Sequence, residues 1–129
     1  MATTGMTFTL EIAAAITVGA LCEIAADLKG QEASANSVTV VGAFLDYDPD
    51  ALTATVAGPG SIVDLISDGS GTISFGEKLR ACANGEVKTA NPADGANARQ
   101  CVGIALDSAA ASAGLTVPVL LLCSPYIGA

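Results

Sequence analysis

Over residues 7–12 apolar and polar side chains alternate, with Phe8, Leu10 and Ile12 on one side, the period of a half-buried β-strand. Residues 37–42 are rich in β-branched side chains and read as a second strand. Residues 62–66 form a third, closed by the turn cluster Asp68-Gly69-Ser70-Gly71. Short strand-like runs at 79–83 and 86–89 flank Asn84-Gly85, a dipeptide suited to a type I′ turn because both central residues need positive φ. A two-residue loop there pairs Cys82 with Val87 and Ala81 with Lys88. A last apolar strand runs over 115–122. Pro118 has no N–H to give a ladder, which predicts an edge position or a bulge. Two stretches have helical character. Residues 13–26 are alanine-rich but interrupted by Thr17, Val18 and Gly19. Residues 107–113 make the better short helix, capped by Asp107 or Ser108 and ended by Gly114.

The pattern also repeats. Ile16-Thr17-Val18-Gly19 is echoed by Ile73-Ser74-Phe75-Gly76, and Val41-Gly42-Ala43-Phe44-Leu45-Asp46 by Val102-Gly103-Ile104-Ala105-Leu106-Asp107. Leu52-Thr53-Ala54-Thr55-Val56 is echoed by Leu115-Thr116-Val117-Pro118-Val119. The order is the same in both halves, and the spacing widens along the chain as small loop insertions would make it. Gly58-Pro59-Gly60 is the expected hinge between halves that share one core. The predicted fold is therefore all-β: a small barrel or sandwich with an internal pseudo-repeat and one short helix near 107–113. It is expected to form a single domain over 1–129, with an N-terminal arm at 1–6 and a C-terminal arm at 124–129.

Composition narrows the functions open to such a fold. The chain has 129 residues, the size of one domain. Half of it is hydrophobic, yet there is no tryptophan and aromatics make up only 4%. The core is thus built from small aliphatic side chains, which suits closely spaced strands better than a ring-lined ligand cavity. Thirteen acidic residues against five basic ones give a net charge of −8. An acidic surface repels phosphates, which argues against nucleic acid as a partner, and it suits docking on a neutral or basic protein. The absence of histidine removes the commonest general base and metal ligand, and with them most familiar catalytic triads.

Individual motifs add no chemistry. Asp46-Tyr47-Asp48-Pro49-Asp50 has the spacing of a calcium loop, but Ala51 and Ala57 stand where an EF-hand needs glycine and glutamate. An acidic surface turn is expected, with no metal. Gly58-Pro59-Gly60-Ser61 and Asp68-Gly69-Ser70-Gly71 are turns, since neither opens a helix after a strand with a following lysine. Cys101 stands near Arg99 but has no histidine partner. No cofactor, catalytic residue or enzymatic activity is expected. Gly76-Glu77-Lys78-Leu79-Arg80 concentrates two of the five positive charges, either as a solvated strand edge or as a contact patch. The apolar run between Glu11 and Glu23 has no Lys or Arg before it, unlike a secretory signal, and is too short to cross a bilayer. No membrane partner is expected.

Residues 71–79, 83–87, 102–110 and 115–121 together resemble the capsid decoration, or cement, proteins of tailed bacteriophages. The shared features are the Ile73-Ser74-Phe75-Gly76-Glu77-Lys78-Leu79 corner, the Gly85-Glu86-Val87 hairpin, the Val102-Gly103-Ile104-Ala105-Leu106-Asp107-Ser108-Ala109 segment and the closing apolar strand. Residues 7–57 share the pattern through the repeat. The acidic stretch at 46–50 and the four cysteines depart from it. The resemblance implies a small β-rich virion protein, often trimeric, that is made in the host cytoplasm and braces the outside of an assembled capsid. Its partners are the major capsid protein and further copies of itself. A β-rich tail, fibre or surface-binding module recognising a receptor or glycan is the alternative. Met6 and Phe8 near the start, and Tyr126 and Ile127 near the end, are the candidate partner-binding residues.

The cysteines yield a first prediction. Cys22, Cys82, Cys101 and Cys123 have no paired spacing and follow no export signal, so all four are expected as thiols. Alkylation of the unreduced, denatured protein followed by mass spectrometry should find four modified cysteines. A mass short by two or four adducts would overturn this.

Overall fold

The computed structural model describes residues 5–35, 37–90 and 100–123. The protein is all-β, as the pattern predicts. Its first half holds β1 (Thr7–Glu11), β2 (Leu21–Ile24), β3 (Gly30–Glu32), β4 (Val40–Asp48) and β5 (Thr53–Ala57). The second holds β6 (Ile62–Ile66), β7 (Lys78–Ala81), β8 (Val87–Thr89), β9 (Gly103–Ala105) and β10 (Thr116–Leu121). Each half forms its own five-stranded antiparallel sheet, and the strand orders are β1-β5-β4-β2-β3 and β6-β10-β9-β7-β8. The second order is the first advanced by one full set of strands, so the sequence repeat is a structural repeat. Residues 58–61, which include the expected hinge Gly58-Pro59-Gly60, connect the two sheets.

The correspondence extends to single residues. Cys22 pairs with Gly42 where Leu79 pairs with Gly103. Phe44 exchanges backbone bonds with Gly19 and Ala20 at 2.9 Å each, and Ala105 does the same with Gly76 and Glu77 at 2.8 and 2.9 Å. Each sheet curls until its first and third strands nearly meet, through the parallel bridge Ile12–Gly30 in one half and Ser67–Val87 in the other. Gly42 and Gly103 allow this curl. A Cβ on Gly42 would collide with the Ala57 carbonyl oxygen, and one on Gly103 with that of Leu120. Only a residue without a side chain permits such close backbone approach.

Two apolar clusters result. One lies inside the first sheet and contains Ile12, Ile16, Cys22, Phe44 and Val56, with Phe8 and Leu10 packed against it. The larger one fills the second sheet with Leu65, Ile73, Leu79, Val102, Val117 and Val119. It also takes in Leu21, Val40, Ala43 and Ala57 from the first half. The halves thus share one core, while the first half has a second core of its own.

Several expectations are corrected. No helix forms at 107–113. Ala109 instead exchanges backbone hydrogen bonds with Ile73 at 2.8 and 2.9 Å, which holds the segment extended against the corner. Asp107 caps only its neighbour's N–H, at 2.8 Å. A seven-residue alanine run cannot offset the cost of helix nucleation against such a partner. The alanine-rich stretch at 13–26 likewise contains β2, not a helix. Among the described residues one 3₁₀ turn forms, over Ala83–Gly85. There Asn84 and Gly85 have positive φ (62° and 70°) and Glu86 N–H bonds to Ala83 O, as a type I′ turn requires. The register differs by one residue, however, with Ala81 opposite Val87 and Arg80 opposite Lys88. The hairpin absorbs an extra residue at Cys82, as the aligned hairpin of the first half does at Ala25, where Ile24 lies opposite Gly30; its turn tip is seated on the first half, where Gly85 N–H bonds to Ala33 O at 2.8 Å. Pro118 lies in a central strand, not at an edge. It faces Leu106, just past the end of β9, and its carbonyl accepts the Leu106 N–H at 2.8 Å, so its missing donor costs only the reciprocal bond of that last rung and none within β9.

The crowding at the paired glycines sets a stability prediction. Gly42→Ala and Gly103→Ala should each destabilise by about 1–3 kcal/mol or more through overpacking. Gly71→Ala, at a position with open space around the missing Cβ, should stay within about 0.5 kcal/mol. Urea midpoints measured on the three variants check this, and equal midpoints would refute it.

Candidate interaction surface

The sequence-predicted partner residues divide in two. Met6 is exposed and Phe8 half-buried at the start of β1. Both side chains lean over Gly58, within 3.4 Å of where its Cβ would stand. Phe8 also packs on the first core, so it has a structural role besides any surface one. Tyr126 and Ile127 lie outside the described residues, as do residues 1–4 and 124–129 of the two arms. Gly5 N–H bonds to Ser61 Oγ at 3.0 Å, and Gly60 N–H to Leu121 O at 2.8 Å. The start of β1, the hinge and the end of β10 therefore meet at one end of the molecule.

The most exposed apolar side chains are ones that strand periodicity did not single out. Leu28 is 77% exposed and Phe75 71%, with Val18, Leu52 and Leu115 also at the surface. The repeat did carry a signal for four of them, because it aligns Val18 with Phe75 and Leu52 with Leu115. A pair of aligned corners that each present an apolar side chain outward is thus repeated in the two halves of this chain.

Shallow grooves border these corners. One, of about 270 Å³, runs between Val18, Ala43 and Leu45 of the first half and Val63 and Asp64 of the second. Another, of about 350 Å³, lies between residues 13–16 and residues 30–32. Glu32 at its rim accepts the Thr17 N–H at 2.7 Å. Among the described residues no group of three or more Cys, Asp or Glu is placed to hold a metal. The acidic turn is bound up in its own backbone: Asp46 accepts the Tyr47 N–H at 2.8 Å, and Asp48 those of Asp50 and Ala51 at 2.9 and 3.2 Å.

No protein-family model matches the sequence, and no curated protein matches it. Among solved structures, the head fiber gp8.5 N base of bacteriophage phi29 shares the fold. The alignment covers 96% of this chain and 97% of that chain, with a TM-score of 0.55 and 16% identity. The likeness extends over nearly the whole of both chains.

The titratable groups with displaced equilibria are structural. Burial pushes the thiols of Cys22, Cys82 and Cys123 up to about 12, so these side chains are neutral at physiological pH and serve as packing groups. All four cysteines are free. Cys82 donates its S–H to Asp68 at 3.5 Å.

Glu23 is the buried carboxylate of β2, 7% exposed. It accepts hydrogen bonds from Gln31 Nε2 at 2.5 Å, Ser34 N–H at 3.0 Å and Ser34 Oγ at 3.1 Å. Burial acts to raise its pKa, but the donors of Ser37, Ser34 and Gln31 outweigh it and hold the carboxyl below its ordinary value of 4.5. The network ties the residue 33–37 segment to the β2–β3 hairpin, and so fixes the surface on which the second half sits.

A group whose folded-state pKa is depressed contributes stability above its unfolded value and loses it as pH falls through the folded one. Stability should therefore be full above about pH 4.5 and decline below it. Glu23→Gln, which presents an amide N–H to a cage of donors, should cost about 1–3 kcal/mol at neutral pH and flatten the acid limb. Thermal melts across pH 2.5–7 on both proteins test this. Parallel pH profiles would remove Glu23 from the account.

Proposed function

We propose that this protein is a structural component of a tailed-phage head that binds the outer surface of the assembled capsid and stabilises the shell. The observation that carries this is the end-to-end fold likeness to a phage head fiber base. It is supported by the resemblance of residues 71–121 to capsid decoration proteins and by a repeat of β-corners that presents apolar side chains outward. In this reading the protein is not an enzyme. Its partners are the major capsid protein and copies of itself in a symmetric oligomer, a trimer, without nucleic acid or membrane. It is made in the host cytoplasm and ends on the capsid exterior. Stabilisation is additive: a stable interface buries on the order of 1,600 Å² in total, and a copy spanning several capsomers makes each harder to detach.

The likeness to a head fiber also favours a second reading, in which the domain is the base of a fibre or surface-binding module whose distal part recognises a receptor or glycan. Purified virions discriminate the two. A decoration protein is present in hundreds of copies over the shell, and particles lacking it lose DNA at lower temperature. A fibre component leaves shell melting unchanged when deleted and lowers adsorption instead. Absence of the chain from purified virions would overturn both.

A further inference from the structure

The two repeats do not contact each other symmetrically. The second half's turn at 82–86 is seated on the first half. Gly85 N–H bonds to Ala33 O at 2.8 Å, and the Cβ position of Gly85 lies 2.7 Å from Ala20 Cβ and 2.8 Å from Leu21 N. Strand β6 passes over the first half's corner, with Asp64 O 3.5 Å and the Ile66 side chain 3.9 Å from the Cβ position of Gly19. The outer residues Leu21, Ala43 and Ala57 are buried in this contact.

A two-fold relation between the halves would place the first half's turn on the second half in the same way. It does not. The residue aligned with Gly85 is Leu28, and it stands in solvent. Gly76, aligned with Gly19, has nothing within 4 Å of its Cβ position among the described residues. Lys78, aligned with Leu21, is exposed. Ile104 and Leu120, aligned with Ala43 and Ala57, are only half-buried. The contact is head-to-tail, and a head-to-tail contact leaves one unused surface at each end: a protruding turn on the first half and a receiving face on the second.

We propose that these two unused surfaces bind each other between copies, so that the turn at 25–29 of one chain docks on the β7–β9–β10 face of the next, repeating between chains the contact that joins the halves within one. Three observations support the second copy as the occupant. The surfaces are related by the repeat to a pair that already fits. Their charges are complementary: Asp27 and Lys29 flank Leu28 on the turn, and Lys78 and Glu77 border the receiving face. Leu28 is also held at φ 67°, a conformation unfavourable for leucine, while exposed to solvent. In an isolated chain that residue carries both backbone strain and an apolar exposure. On a neighbour, it fills a face lined by Phe75 and Ile104. Repeated head to tail, such a contact builds a ring where its rotation closes, and the trimer of the proposed function is that closed form. This deepens the oligomer part of the proposed function and is independent of what the ring attaches to.

Two variants test it. Leu28→Asp spoils the turn and leaves the receiving face intact; aspartate tolerates positive φ. Phe75→Glu spoils the face and leaves the turn. Both sites are exposed, so both variants should fold with circular dichroism spectra and melting behaviour matching wild type below the concentration at which it associates. Sedimentation equilibrium should show wild type as a discrete oligomer and each variant associating at least about tenfold more weakly, as loss of a central apolar anchor does. Mixed one to one, the variants should form a dimer, because each supplies the surface that the other has lost. An interface in which each residue meets its own symmetry copy cannot give that complementation, and a two-fold 28–75 interface would hold the wild type itself at a dimer. A wild type that stays monomeric up to its solubility limit, variants with wild-type mass, or a mixture that stays monomeric would each overturn the proposal. Binding of the same variants to shells lacking the protein is scored separately: a monomeric variant that still binds keeps the capsid reading, and a wild-type ring that does not bind refutes that reading alone.

Discussion

A five-stranded sheet of small aliphatic side chains, curled tightly enough for its first and third strands to meet, has room for one small core and leaves its outer surface apolar. That surface must be covered, and covering it is the constraint from which the rest of this structure follows. In the first half the outer residues Leu21, Val40, Ala43 and Ala57 are buried by the second half, whose core they join. The seated turn at 82–86 and the buried Gly85 are consequences of that contact. The close approaches at Gly42 and Gly103 make the curl possible in each half, and the curl is what creates the outer surface.

Much of this was legible in the chain. The repeat was readable because the residues that build each corner and crossing are restricted: a glycine where backbones touch, an aliphatic residue beside it, an outward apolar side chain at Val18 and at Phe75. Most strands were readable by period two or by β-branching. Where reading failed, the cause was tertiary. Alanine is compatible with helix and strand alike, so the runs at 13–26 and 107–113 carried no decision of their own. Backbone partners elsewhere decided them, Ile73 for Ala109 and the β4 ladder for β2. The hairpin turn type was fixed locally by Asn84-Gly85, whereas its register follows the five-residue loop that both repeats share, at 25–29 and at 82–86, which the dipeptide alone does not encode. Pro118 pointed to an edge only because the sequence does not reveal where β9 stops.

The acidic excess also acquires a structural explanation. Glu23, Asp27, Glu32, Asp46, Asp48, Asp68, Glu77 and Asp107 each accept a backbone N–H within 3.2 Å. Short strands joined by many turns leave backbone donors without ladder partners, and side-chain carboxylates satisfy them. The negative charge is thus partly the cost of building a fold from so many turns. Whatever it contributes to partner choice comes in addition.

This changes what the few positive charges mean. With most carboxylates accepting nearby amides and spread over the loops, shape and the apolar side chains at the corners carry much of the specificity, and the few positive charges add to it where they border those corners. The duplication supplies both twice. Where the repeats have diverged, they have done so at the contact: glycine at the seated tip and leucine at the free one, Leu21 beneath the seated turn and Lys78 at the open face. A duplicated domain under no constraint at its free ends would be expected to lose an exposed, strained leucine, since a polar residue there would relieve strain and exposure together. Its presence is most simply accounted for by a surface that is not free in the assembled state.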